Sequence, residues 1–270
     1  MPYDQAANYD EAVKSPLQAV GGSGGWETLQ NLNLALVPAA DWSTGTHALN
    51  GAALTFDRPA TLAAMGPDGA TGIVVSAANV ASEWTGNSRN APTWSVGIQD
   101  LAGVDLSLYR QVAVMVSVDP TVISTAFSYW LAAIETAGKP SSAVAIRPRP
   151  LWNGGGAGID ITTLAGGGGA GNLPVNLISV PRSILMVLDW PGKNLATYYD
   201  LAARSGPPGD IDDPTAGAWT PIGDDGSRGH LFEQRALFAL STMRLTMCVG
   251  GWALAAKSAT FKHLTIQGLK

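Results

Sequence analysis

The residues that could do acid–base or metal chemistry are sparse, and the acidic ones cluster beside Gly and Pro. Sugar hydrolysis needs two carboxyl groups, one as acid and one as nucleophile or base. The acidic clusters are Asp210, Asp212 and Asp213, followed by Asp224-Asp225. Their neighbours predict solvated turns, and no metal site is predicted. A calcium ion near Asp210, Asp212 and Asp213 remains the alternative, because hard cations take several oxygen ligands.

Neither histidine nor serine nor cysteine shows catalytic spacing. The three histidines, His47, His230 and His263, have no zinc-binding spacing. Ser23 lies within a glycine run and follows no strand, unlike the serine of a nucleophile elbow. Cys248 has no base near it in sequence and is expected to be a packed or interfacial thiol. The sequence therefore predicts no catalytic residue, no cofactor and no enzyme.

Tryptophan is frequent, with nine copies, most of which are expected to fill the core or the sheet edges. Trp42, Trp84 and Trp152 instead stand among Ser, Thr, Asn and Gly, in predicted loops. Exposed aromatic side chains in loops stack on sugars or fill pockets of a partner. These three are the predicted ligand-binding residues.

Charge is scarce. Hydrophobic residues make up 46% of the 270 residues and charged residues 14%, against about 25% charged in an average globular protein. Such a surface suits a protein that buries much of itself against partners, although a GC-rich genome would also favour Ala and Gly. The net charge of −5 and the short basic cluster Arg147-Pro148-Arg149 do not favour nucleic-acid binding.

Targeting signals are not recognised either. No apolar run approaches the roughly 20 residues of a membrane-spanning helix, and the first residues lack the basic and apolar regions of a signal peptide. Synthesis in a cytoplasm without export by the general route is expected. The single cysteine excludes an internal disulfide.

Residues 1–25 differ from the rest of the chain and are predicted to be an N-terminal arm with a glycine hinge at 21–25. Its expected partner-docking residues are Tyr3, Tyr9, Pro16 and Leu17. The alternatives are a frayed terminus and a tether that docks on a neighbouring subunit, and docking is favoured. Residues 26–270 are predicted to be one β-sandwich domain.

After residue 26 the pattern is that of strands separated by turns, which predicts an all-β protein with little helix. Met243, Leu245, Met247 and Val249 alternate with polar residues, which predicts a strand with one buried face. Opposite parities of Phe261 and Leu264 predict a β-bulge near Lys262-His263. Other predicted strands are 32–36, 53–57, 73–77, 111–118, 126–134, 184–188, 195–201 and 258–268, whereas 154–158 and 166–171 are predicted loops and 230–239 is left as helix or strand.

A family resemblance adds to this pattern. The segments 182–190, 195–200, 219–223 and 259–268 resemble the strands of concanavalin A-like (laminin-G-like) jelly-roll modules. The resemblance implies an antiparallel two-sheet jelly-roll sandwich, often used to bind carbohydrate or protein. The Glu-x-Asp-x-x-Glu pattern of the family's hydrolytic members does not occur here, which argues against glycosidase activity.

Two functions are compatible with these observations. The first is a non-enzymatic virion structural protein of a tailed bacteriophage, such as a capsid decoration, head-fibre or tail-fibre subunit. It would dock by its arm on other virion proteins, associate with copies of itself as a trimer, and display a lectin-like sandwich. The alternative is a free or surface-attached carbohydrate-binding module, with cell-surface glycan as its partner.

Overall fold

The computed structural model describes part of the chain, and the fold is reported for that part. The described residues are 25–36, 46–49, 51–57, 65–67, 72–77, 91–119, 128–136, 139–152, 156–164, 175–177, 179–189, 194–204, 219–222, 242–251 and 256–270. The elements are β1 (Trp26–Asn33), β2 (Thr46–Leu49), β3 (Ala52–Asp57), β4 (Met65–Pro67), β5 (Ile73–Ala77), β6 (Thr93–Gly97), α1 (Ile98–Ala102), β7 (Gln111–Asp119), β8 (Ser128–Thr136), β9 (Lys139–Trp152), β10 (Gly156–Leu164), β11 (Val175–Leu177), β12 (Ser183–Asp189), β13 (Asn194–Asp200), β14 (Thr220–Pro221), β15 (Met243–Gly251) and β16 (Lys257–Leu269).

The strands form two antiparallel sheets, and the predicted all-β sandwich is confirmed. Sheet A has the order β14-β13-β12-β7-β16-β5-β4, with β1 also paired to β16. Sheet B has the order β11-β10-β9-β8-β15-β6-β3-β2. Strand β16 pairs with β7 along one edge, and along its other edge with β5 and then β1.

The main core lies between the sheets and follows the period-two alternation of their strands. Val112, Val114, Val116 and Val118 of β7 all point into it, as their shared parity predicts. Phe261 of β16 reaches across to sheet B, where it meets two tryptophans edge-on. Its ring centroid lies 6.1 Å from that of Trp94 and 6.2 Å from that of Trp130. The Trp130 indole N–H is satisfied by the Pro181 carbonyl at 3.0 Å.

The outer faces of both sheets also carry buried apolar clusters. One covers β7, β12 and β13 and consists of Ala113, Met115, Leu185, Val187, Ala196, Tyr198 and Trp219. The other covers β8, β9 and β15 and consists of Ala91, Tyr129, Leu131, Ala133, Ala143, Ala145 and Cys248. The prediction of one buried face for β15 is therefore wrong, because Thr246 and Cys248 on its second face are also fully buried. The burial of Cys248 agrees with a packed thiol.

The bulge in the last strand is confirmed. Phe261 pairs with Val118 and His263 pairs with Ser117, so Lys262 has no partner of its own on β7. The extra residue places Phe261, Leu264 and Ile266 in the same core although their parities differ. Without it, the second half of β16 would present its apolar side chains to the wrong face.

Two local predictions are corrected, and one short helix is added. Strand β1 ends at Asn33, and residues 34–36 form a 3₁₀ turn in which Leu34 is buried while Leu36 is 78% exposed. Glycines at 156 and 158 belong to β10, because its pairing with β9 continues through them. The short helix α1 was not foreseen, and Gly103 ends it in the left-handed conformation at φ 69°. The segments 166–171 and 230–239 lie outside the described residues.

Within the described residues, no helix has both the length and the apolar character needed to cross a membrane.

Deleting Lys262 is expected to lower the free energy of unfolding by about 3 kcal/mol or more. The deletion would turn Leu264 and Ile266 away from the core, and the loss of one buried Leu or Ile already costs about 2–5 kcal/mol. Urea denaturation of the full chain measures the change.

The matched control is Lys262→Ala, which keeps the bulge. It removes the 3.6 Å contact between Lys262 Nζ and Asp119 Oδ2, whose side chains are about one-third exposed. Partly exposed ion pairs of this kind contribute less than about 1 kcal/mol to the free energy of unfolding. Equal stability of the deletion variant and the control would show that the bulge does not set the phase of β16.

Candidate functional site

A row of polar side chains lies on the outer face of sheet A where β1 runs along β16. Thr28, Asn31 and Asn33 of β1 pair in register with Gln267, Thr265 and His263 of β16, respectively. These six residues are called the polar row. The side chains of Thr28, Asn31 and Asn33 are exposed, those of Thr265 and Gln267 are buried, and that of His263 is half-buried.

Two irregularities place these residues on one face. The pairing of β1 shifts between Thr28 and Gln30, so Leu29 is an extra residue there. It brings Thr28 to the same face as Asn31, although the two are three positions apart in sequence. The bulge at Lys262 does the same for His263, which pairs with Asn33 on one side and Ser117 on the other. Two residues directly opposite each other on neighbouring strands have Cβ atoms about 4.5–5.5 Å apart, so the side chains of each pair in the row are close neighbours.

Each exposed member of the row is held by one hydrogen bond from the protein. Thr265 Oγ1 donates to Asn31 Oδ1 at 3.3 Å, and Gln267 Nε2 donates to Thr28 Oγ1 at 3.4 Å. The backbone N–H of Ala35 donates to Asn33 Oδ1 at 3.0 Å. Within the described part of the chain, the amide nitrogens of both asparagines and the Thr28 hydroxyl hydrogen keep no protein acceptor. The row therefore presents oriented donors to the outside.

Beneath the exposed groups lie polar atoms with no partner among the described residues. They are Ser117 Oγ, His263 Nδ1 and Gln267 Oε1, all buried. Buried polar atoms usually have a partner, so these three call for one from outside the described protein atoms. Burial, and then the charge of neighbouring Lys262, lowers the pKa of His263 below its ordinary value of 6.5. The imidazole is neutral at pH 7 and offers both a donor and an acceptor.

The start of β1 is fixed by a group of charged and aromatic side chains. Tyr109 Oη donates to Glu27 Oε1, and Lys270 Nζ lies 3.1 Å from the same oxygen and 5.4 Å from the Tyr109 ring centroid. The Tyr109 hydrogen bond and then Lys270 lower the pKa of Glu27. The Tyr109 ring lies on Gly268, where a Cβ would come within 2.3 Å of it. These contacts hold β1 against the C-terminal end of β16.

An aromatic side chain ends the row. Trp26 pairs in register with Leu269, two residues beyond the Thr28–Gln267 pair, and packs half-buried against the apolar cluster of sheet A. The face thus combines amides, hydroxyls and an imidazole with an indole at one end. Hydrogen-bonding groups that fix orientation, beside apolar side chains, are what small-molecule sites contain.

Catalytic arrangements are not found among the described residues. Ser117 and His263 are neighbours, but Ser117 Oγ and His263 Nδ1 make no hydrogen bond. The nearby Asp119 contacts Lys262 instead. No group of three or more His, Cys, Asp or Glu side chains is close enough to hold a metal ion in the part that the structure covers. The row is suited to binding through hydrogen bonds.

Of the sequence-predicted site residues, Trp152 lies within the described part of the chain. Trp42, Trp84, the arm residues Tyr3, Tyr9, Pro16 and Leu17, and the acidic residues Asp210, Asp212 and Asp213 lie outside the described residues. Trp152 is the last residue of β9 in sheet B, where it pairs with Gly156, so its predicted loop is corrected to a strand end.

Sequence reasoning missed the polar row. Of its members on β1, Asn33 alone belongs to the pattern that predicts a strand at 32–36, where it alternates with Leu32 and Leu34. The two bulges that add Thr28 and His263 become apparent only when β1 pairs with β16.

Comparison with known proteins supports the fold. No protein-family model matches the chain, and no curated protein matches it by sequence. Bacteroides ovatus xyloglucan PUL GH43B is similar with a TM-score of 0.52 and 10% identity, over 83% of this chain and 38% of that one. At this identity the likeness shows a shared β-sandwich fold, and the chain spans little more than a third of that protein's length.

Two phage proteins align over most of the chain with lower TM-scores. The CBM2 module of the evolved Dit of Lactobacillus casei BL23 phage J-1 has a TM-score of 0.49 and 12% identity, covering 91% of this chain and 97% of that one. A carbohydrate esterase of the Shiga toxin-encoding bacteriophage phi24B has a TM-score of 0.45 and 10% identity, covering 91% and 100%.

Stability is expected to depend on His263 below about pH 6.5. Because its pKa is lowered in the folded protein, the unfolded chain takes up this proton first as the pH falls. The free energy of unfolding should therefore drop between pH 7.5 and 5.0, and by less in His263→Gln. Urea denaturation of wild type and His263→Gln at the two pH values measures the drop in the free energy of unfolding for each. Subtracting one drop from the other removes the contribution of the carboxyl groups that both proteins share. An equal drop in both proteins would contradict the shift.

Proposed function

We propose that the protein is a carbohydrate-binding β-sandwich that acts without catalysis and holds its ligand at the polar row. The observation that carries the proposal is the set of exposed side chains, Thr28, Asn31 and Asn33, each anchored by one protein hydrogen bond and each retaining a free donor. Sugars present closely spaced hydroxyl groups that donate and accept, and amides, hydroxyls and neutral imidazole match them.

Spacing supports a sugar as the ligand. Asn31 and Asn33 are two residues apart on one strand, which places their Cα atoms about 7 Å apart at roughly 3.4 Å per residue. Neighbouring side chains can therefore reach hydroxyl groups of one ring or of two linked rings. Anchoring of these side chains also reduces the conformational entropy that binding would otherwise remove.

Trp26 supplies the apolar contact that sugar recognition also uses. Its half-buried indole lies at the end of the row next to Thr28 and Gln267. The apolar C–H face of a sugar ring packs well against such a ring. A ligand that crosses from Asn33 to Trp26 would follow the direction of β1.

We further propose that the module is displayed on the virion of a tailed bacteriophage, as a trimer in which the N-terminal arm docks on a neighbouring subunit. The low proportion of charged residues and the arm with its glycine hinge support this placement. Carbohydrate binding and display on a virion are compatible, because a particle that presents many copies gains avidity from weak individual sites.

The double variant Asn31→Ala/Asn33→Ala is expected to weaken glycan binding at least about tenfold, since it removes two anchored hydrogen-bonding groups. A glycan array identifies a ligand for the full chain, and calorimetry then measures its affinity for each variant. Gln30→Ala is the matched control, because Gln30 pairs with Ile266, which belongs to the inter-sheet core, on the opposite face of β1.

The same titrations include Trp42→Ala, Trp84→Ala and Trp152→Ala. Retained binding in these three is expected if the polar row is the site. Loss of binding in one of them, with full affinity in the asparagine double variant, would move the site to that tryptophan.

Light scattering tests the assembly. The full chain is expected at three times its mass of 27.9 kDa, and a variant lacking residues 1–24 is expected as a monomer that still binds glycan. A full chain that is monomeric at micromolar concentration, or a shortened chain that remains trimeric, would contradict the role given to the arm.

A further inference from the structure

Three side chains from neighbouring strands meet on the outer face of sheet B, on the opposite side of the sandwich from the polar row. Arg244 of β15 donates from Nε to Ser95 Oγ at 3.1 Å. Its Nη2 donates to Thr55 Oγ1 at 3.1 Å and to the Ser95 carbonyl oxygen at 2.8 Å. Ser95 lies on β6 and Thr55 on β3, where they pair directly in register. The guanidinium is therefore held in one orientation by three hydrogen bonds.

All three acceptors of Arg244 are neutral. None of the described carboxylates lies within ion-pair distance of its guanidinium. Arg204 shows the usual arrangement, because its Nη2 lies 2.5 Å from Asp200 Oδ2. A half-exposed arginine that is fixed in position and has no counter-ion among the described side chains is a ready site for an anion.

The acidic side chain that pairs with Arg244 on the neighbouring strand is already engaged elsewhere. Glu135 of β8 is the register partner of Arg244, but its Oε1 accepts a hydrogen bond from Thr246 Oγ1 at 2.6 Å. Its negative charge still opposes the binding of an anion nearby. Replacing Glu135 by a neutral residue should therefore strengthen the binding of an anion at Arg244. This gives the site a second property that can be tested.

The groups left over at this cluster are donors. Arg244 Nη1 makes no hydrogen bond to a described residue, and the hydroxyls of Ser95 and Thr55 act as acceptors toward Arg244, which leaves their hydrogens to donate. Two N–H groups and two O–H groups thus converge around a positive charge. Carboxylate and sulfate oxygens, which only accept, match this set.

We propose that Arg244, Ser95 and Thr55 form a second ligand site, which takes the anionic group of an acidic sugar. The identity of the ligand as a sugar rests on the proposed carbohydrate binding, whereas the anion preference rests on Arg244. An acidic polysaccharide would bind here through a uronic acid carboxylate or a sulfate ester. The two sites lie on opposite sheets, so each can be tested without the other.

Calorimetry of the full chain with tetragalacturonate tests the site, with its methyl ester as the neutral match. The acidic oligosaccharide is expected to bind and the ester to bind at least about tenfold more weakly at Arg244. Raising the salt concentration from 50 to 300 mM should weaken only the first interaction. A sulfated galactan tetramer distinguishes a preference for sulfate from one for carboxylate.

Substitutions test which side chains the binding of tetragalacturonate depends on. Arg244→Gln should lose at least about tenfold in affinity for tetragalacturonate, Arg244→Lys should lose less, and Glu135→Gln should gain. Arg182→Gln is the matched control, because it removes the same charge from an exposed arginine just before β12 of sheet A. Thermal denaturation of each variant checks that the fold is retained.

The outcomes separate the two proposals. Equal affinity of wild type and Arg244→Gln for tetragalacturonate, or equal binding of acid and ester, would overturn the Arg244 site while leaving the polar row in place. Binding of tetragalacturonate that depends on Arg244 but not on Asn31 and Asn33 would support it even if the row fails. A full chain that binds no glycan, acidic or neutral, would remove both.

Discussion

Strand β16 is hydrogen-bonded along both of its edges, and the position of nearly every other feature depends on it. On one edge it meets β7, and on the other it meets β5 and then β1. The single extra residue Lys262 changes the phase of its side chains half-way along. That change lets Phe261 fill the gap between Trp94 and Trp130 while Leu264 and Ile266 fill the core further on. It also sets His263, Thr265 and Gln267 on the outer face beside β1.

The burial of parts of both outer faces, in addition to the core between the sheets, contributes to the unusual composition. Apolar clusters lie between the sheets and also on each outer face. A strand covered on both faces has no need of alternating charged residues, and β12 and β15 illustrate this. The 14% of charged residues therefore reflects, in part, how much of the chain is interior. Because this burial occurs within one chain, the low proportion of charged residues supports extensive subunit contacts only weakly. The arm supports assembly more strongly.

The two candidate sites use the same structural device in different chemical forms. In each, side chains from adjacent strands are held by short-range hydrogen bonds, and their remaining donors face outward. The polar row at β1 and β16 is neutral and is suited to hydroxyl groups. The cluster at Arg244 is positive and is suited to an oxyanion. Sheets favour this device, because register fixes which side chains become neighbours across strands.

The sequence alone determined the fold class, the positions of most strong strands and the bulge at Lys262, because period-two alternation is a local property of the chain. Residues 184–188 are apolar at every position, which is typical of a strand covered on both faces, and all five are buried in β12. The sequence did not determine that 34–36 would turn, that 156–158 would pair, or that the second face of β15 would be buried, since these depend on what packs against them. The candidate sites were decided by tertiary structure alone: Asn31 and His263 are 232 positions apart by number, and Thr55, Ser95 and Arg244 come from three separate strands. Only the pairing of strands in the sheets brings such residues together, and no local sequence pattern indicates which strands will pair.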